Sequence, residues 1–230
     1  MKRILFCLFA VAVVGTAGAE TVASAPLTIE ELYLESEISL DVIESQLFTN
    51  SRELQRLALT ALVDQVEAGT IDPDADRYVE MVSTTMAQGV TIVSNNRYRL
   101  PDSYHPEIRI LSARLLGYSS HPDAQNALLT VVRADPEPTV RAEAVYALGR
   151  IGSDPEQKVS FTIGKALRGE TRRMHDETFV FAALQAVQSL GNEVGMRNLH
   201  TLIRDSTIDI ATGNFNQLLR DKAIEVLVQL

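Results

Sequence analysis

The side chains able to do chemistry are few and scattered along the 230 residues. Four histidines, His105, His121, His175 and His200, include no pair spaced i, i+4, the spacing that lets one helix face grip a metal. None adjoins a carboxylate cluster, so no metal site is read. His105 and His121 each precede a proline, where a polar residue opens a helix. Glu30 and Glu31 are adjacent and point to different sides of a helix, unlike a catalytic pair. No Gly-x-Ser-x-Gly elbow, Ser-x-x-Lys pair, phosphate loop or Gly-x-Gly-x-x-Gly turn occurs. The reading is therefore a non-enzymatic chain with no catalytic residue and no cofactor.

One constellation stands out. Arg133, Arg168 and Arg204 recur along the second half of the chain, each after a hydrophobic pair. At corresponding positions upstream of them lie Asn126, Phe161 and Arg197, then Leu129, Gly164 and His200. A row of guanidiniums suits a carboxylate-bearing ligand, because each presents a planar fork of donors. A cation in the last turn of a helix also complements the helix dipole, by a few tenths of a kcal/mol up to about 1. Asp135, Glu170 and Asp205 lie within two residues of these arginines and are placed to neutralise them. Both readings stay open at this point.

Composition narrows the rest. The formal charge of −9 and the 6% aromatic content argue against nucleic-acid partners, which demand basic surfaces and stacking platforms. Lys2 and Arg3 precede the apolar run Ile4 to Val14, and Ala17-Gly18-Ala19 then fits a cleavage site before Glu20. Residues 1–19 thus read as a signal peptide, which predicts an exported chain, periplasmic or secreted from a bacterium, with no stable membrane span after cleavage. Cleavage would remove the single cysteine, Cys7, and leave no thiol chemistry.

What positions the arginines is a repeat. The stretch Asp135 to Gly152 has Pro138 for a first helical turn, then Val140, Ala144, Val145 and Leu148 as one apolar stripe, and Gly149 and Gly152 at the helix end. A second helix is expected from about Pro155, with Val159, Ile163, Ala166 and Leu167 on one face. Ile108, Arg109, Leu116 and Gly117 match Val140, Arg141, Leu148 and Gly149 at a constant offset of 32. Ala182, Ala186, Val187, Leu190 and Gly191 form a further copy. Leu219, Arg220, Ala223, Ile224 and Leu227 form the last, and Leu54, Ala58, Leu59 and Leu62 a looser first. Gln55 and Ala183 replace the repeat arginine in two of them.

At these residues, Asp-Pro followed by Val-Arg and Ala-Leu-Gly, the chain resembles the HEAT-repeat family, in particular its PBS-lyase HEAT-like repeats. The resemblance spans about residues 51–230. It implies an all-α fold, an α-solenoid of about five helix pairs with the last incomplete. An acidic N-terminal capping helix precedes it over 20–50. That segment has seven acidic residues and no basic one, with Thr28 and Glu31 as a capping box and Leu32, Ile38, Val42, Ile43 and Leu47 as its apolar face. An insertion at about 88–104, containing Val90 to Val93 and then Asn95 to Arg99, reads as a short strand or a loop.

The resemblance implies an adaptor or scaffold and does not itself imply a lyase reaction; the alternatives are an accessory or lyase-like factor of an enzyme and a purely structural envelope protein. In such solenoids second helices line the concave face, so Arg133, Phe161, Arg168, Arg197, His200 and Arg204 are the candidate binding residues, for another protein or an acidic peptide. Arg109, Arg141 and Arg220 are expected to bridge neighbouring repeats. The apolar last helix, Ile224 to Leu230, is expected to fold back or to mediate self-association.

Overall fold

Helix starts follow the caps that the sequence supplies. The structure, a computed structural model, describes residues 28–88, 105–172 and 176–230. The segment read as a signal peptide and the insertion beyond residue 88 lie outside the described residues, as does His175. Helix α1 (Ile29–Leu47) opens directly after Thr28, and α2 (Arg52–Glu67) opens on Ser51, whose hydroxyl accepts the Leu54 N–H. Then come α3 (Asp76–Ala87), α4 (Pro106–Leu116), α5 (Pro122–Ala134) and α6 (Pro138–Ile151). The last three each start on a proline, which has no N–H to leave unpaired. After a short 3₁₀ turn at Pro155–Gln157 follow α7 (Lys158–Arg172), α8 (Glu177–Val194), α9 (Thr201–Thr212) and α10 (Gln217–Gln229). Asp176 caps α8 and Asn216 caps α10 through their side-chain oxygens.

These helices form the expected array: pairs α2–α3, α4–α5, α6–α7 and α8–α9, preceded by α1 and followed by α10 alone. Among the described residues there is no strand. The first helices stack in the order α2, α4, α6, α8, α10. Each second helix packs more closely on the first helix of the next pair than on its own, and α1 sits on α2 in the same manner. Burial of one apolar stripe per helix supplies the driving force, about 1.5–3 kcal/mol for each large side chain. Val140, Ala144, Val145 and Leu148 are fully buried, as are Val159, Ile163 and Leu167. Across one of these layers the Tyr78 hydroxyl, on α3, donates to the Leu115 carbonyl of α4 at 3.0 Å, and burial pushes its pKa well above that of an ordinary phenol.

Three expectations change. First, Gly149 is not a cap. It lies inside α6, where a Cβ would come within 2.5 Å of the Ala186 Cα, so it allows α6 and α8 to touch backbone to backbone. Gly152 is the cap, left-handed at φ 68°. Second, α10 buries Leu219, Ala223 and Val226, whereas Ile224 is 50% exposed and Leu227 half-buried.

Third, the repeat arginines Arg109 and Arg141 find their acid partners within their own pairs, and among the described residues only Arg141 of the two also reaches the first helix of the next repeat. The Arg109 Nε and Nη2 donate to Asp135 Oδ2 and Oδ1 at 2.8 and 3.1 Å, a buried fork between α4 and the end of its own second helix. Arg141 donates to Glu170 Oε1 at 3.0 Å, again within its pair, and its guanidinium lies 4.9 Å from the Phe179 ring of α8. Each acid also accepts the N–H of the residue capping the next first helix, Glu137 and Asp176 respectively. Gln55 replaces the charge with amide bonds to Gln88 and to the Leu47 and Thr49 carbonyls. Among the described residues the Arg220 guanidinium donates to Gln217, on its own helix.

Candidate functional site

The second helices α5, α7 and α9 lie side by side, and a groove of about 580 Å³ opens between α5 and α7. Its walls carry Arg133, Phe161, Thr162 and Lys165, and its base carries Arg141 and Glu170. Helical spacing explains the α7 wall, since Phe161 and Lys165 are one turn apart on the edge left exposed by the buried stripe Val159, Ile163 and Leu167. Arg133, exposed in the last turn of α5, donates to Thr162 Oγ1 at 2.9 Å and so is aimed across the groove. At the far end Lys158 donates to Asn126 Oδ1 at 2.7 Å, fastening α7 to α5. At the base Glu170 is spent on Arg141, whose buried Nε has no acceptor among the described residues. The walls thus offer two cations, Arg133 and Lys165, beside an exposed aromatic ring, in a chain whose formal charge is −9.

The six candidate residues do not form one ladder. Arg133 and Phe161 face this groove, whereas Arg168 sits half-buried outside its lining, its Nε buried and without an acceptor among the described residues. Arg204 lies in the first turn of α9 rather than near its end, and Arg197 lies in the 3₁₀ turn Met196–Asn198 before that helix. Together with His200 and Leu230 they line a separate hollow of about 210 Å³. His200 is the cap of α9: its Nδ1 accepts the Leu202 N–H, as the Nδ1 of His121 accepts the Asp123 N–H at the start of α5. The two clusters touch where the edges of Phe161 and His200 meet, ring centroids 5.0 Å apart.

Sequence reasoning missed Lys165, Thr162 and Arg141 as groove residues. Lys165 was within reach, being one turn from Phe161 on the same exposed edge. It also missed a second groove, about 520 Å³, on the side of the first helices α6 and α8, with Tyr146 and Phe181 exposed. That groove is nearly uncharged, since its Glu143 is held by Arg114 at 3.0 Å. Among the described residues no three His, Cys, Asp or Glu side chains gather as a metal cage, and no helix is long and apolar enough to cross a membrane.

Residues 97–161 match the family model of HEAT repeats. No curated protein matches the chain.

Proposed function

Taking as premise that the chain is a HEAT-repeat protein, we propose that it is a scaffold that binds an acidic segment of another protein along the α5–α7 groove. HEAT repeats commonly mediate protein–protein contacts, which supports the general role. One observation carries the specific one: Arg133 and Lys165 flank Phe161 on an open groove, neither in an ion pair among the described residues, in a chain that is acidic overall. Carboxylates of an extended or helical segment would pair with the two cations, while an apolar side chain packs on the Phe161 ring. Arg197, His200 and Arg204 would extend the same track past the Phe161–His200 contact.

A photo-crosslinking residue in place of Phe161 tests this in the native host. Capture of one dominant partner is expected. Arg133→Gln with Lys165→Gln should lower capture at least about tenfold, each lost charge-assisted bond being worth about 1.5–3 kcal/mol. Thermal unfolding of the purified variant should barely move, because both side chains are exposed. Undiminished capture, or capture of nothing but the chain itself, would remove the groove from the mechanism.

We also propose export, supported by Lys2-Arg3, the apolar run to Val14 and Ala17-Gly18-Ala19. N-terminal sequencing of the protein from its host should begin at Glu20; a sequence beginning at Met1 would contradict it.

A further inference from the structure

We propose that the groove on the side of the first helices binds a neutral saccharide, independently of the acidic segment assigned to the α5–α7 groove. Helical spacing builds it from two matching edges. On α6 the residues Thr139, Ala142, Glu143 and Tyr146 stand at i, i+3, i+4 and i+7, on the side away from the buried Val140, Ala144, Val145 and Leu148. On α8 the residues Thr178, Phe181, Ala182, Gln185 and Ser189 repeat that spacing and extend it by a turn, away from the buried Phe179, Val180, Ala183 and Val187. Both edges line the same groove of about 520 Å³, to which α4 adds Ile110.

The lining combines exposed rings with neutral polar groups. Tyr146 is 48% exposed and Phe181 36%, with the small side chains of Ala142 and Ala182 between the polar positions of each edge. The hydroxyls of Thr139, Tyr146, Thr178 and Ser189 and the amide of Gln185 can each both donate and accept. None of these five side chains has a hydrogen-bond partner among the described residues. Elsewhere in the array Thr85, Ser112 and Thr207 turn back onto the carbonyl one turn earlier, whereas the mid-helix Ser189 does not. The single carboxylate, Glu143, accepts from the Arg114 Nε at 3.0 Å through one oxygen, so the groove holds no unpaired charge among the described residues.

This chemistry narrows the occupant. A charged ligand would meet no free counter-charge. A hydrocarbon chain would strip water from five polar groups and bond none of them. A second copy of the chain needs about 800 Å² per partner for a stable interface, far more than two partly exposed rings provide. A saccharide meets each condition. The C–H face of a pyranose ring, slightly positive, packs on the negative face of an aromatic ring, and its uncharged hydroxyls both donate and accept, as the five lining groups do. The volume lies within the range of about 300–1,000 Å³ usual for small-ligand sites.

Isothermal titration of the purified protein tests this with glucose, galactose and N-acetylglucosamine, each as the free sugar and as a linked tetramer. At least one probe is expected to bind. Tyr146→Ala and Phe181→Ala should each weaken that binding about tenfold, because each removes a stacking face. Gln185→Ala should weaken it less. Arg133→Gln with Lys165→Gln should leave it unchanged, so the two grooves succeed or fail separately. Circular dichroism melts confirm that each variant remains folded. A tetramer that binds where its free sugar does not supports the proposal and assigns the site to a saccharide chain; equal binding by the free sugar supports it and assigns a soluble sugar. No binding by any probe, binding that both ring variants leave intact, or tighter binding of an uncharged proline-rich peptide would overturn the proposal. So would a wild type that sediments as a dimer and is returned to monomers by Tyr146→Ala.

Discussion

Arg109 and Arg220 stand at the same position, the fourth residue of a first helix, at the middle and at the end of one array. Arg109 is 1% exposed and forked onto Asp135, while Arg220 has a buried nitrogen with no acceptor among the described residues and a carboxamide from its own helix as a hydrogen-bond partner. Between these extremes a partly exposed Arg141 meets a buried Glu170, and Gln55 meets Gln88 without any charge. The series shows what the position is for. It ties the start of a first helix to the close of its second helix, and the acid then holds the N–H that opens the next pair. In the middle of the array that tie is sealed from water. In α2 it is neutral, in α8 Ala183 leaves it out, and in α10 the described residues supply Arg220 with no acid.

The largest effect is expected where the tie is sealed. Arg109→Ala leaves the Asp135 carboxylate buried without its partner, which typically costs about 3–5 kcal/mol. Denaturant unfolding of Arg109→Ala measures this directly. Replacing both partners, Arg109→Met with Asp135→Leu, should recover much of the loss, although the Glu137 N–H forfeits its acceptor. A single variant as stable as wild type would mean that the fork is ornamental, and the contrast with the ends would collapse.

Much of this architecture was legible beforehand, and particular residues show where legibility stopped. The stripe Val140, Ala144, Val145 and Leu148 predicts its own burial because helical spacing and apolarity act together over several turns. The partner of Arg109 was not legible, because its acid lies 26 residues on, whereas that of Arg141 lies 29 residues on. The second helices differ in length and in their entry turns, so no constant offset marks the pairing. The same irregularity broke the arginine ladder. Arg204 follows Arg168 by 36 residues, but α9 starts 43 residues after α7, because α8 is longer than α6 and α7 is longer than α5. A slip of seven residues is about two helical turns, enough to carry Arg204 from the end of a helix to its beginning. Alignment on hydrophobic pairs could not detect this, since such pairs recur on every turn of a buried helix.

The smallest effect on stability is expected in α10, and its smallness is informative. Arg220→Ala removes a guanidinium that among the described residues reaches Gln217 on its own helix. Surface changes of that sort usually stay within about 0.5 kcal/mol, so the denaturation midpoint of a dilute sample should hardly change. Arg109 and Arg220 would thus divide by the size of their effects in one unfolding measurement. An Arg220→Ala variant that unfolds as easily as Arg109→Ala would show that Arg220 already has a partner within the single chain. In that case the tie is filled in α10 as it is in α4, and the difference between the two helices is one of exposure alone.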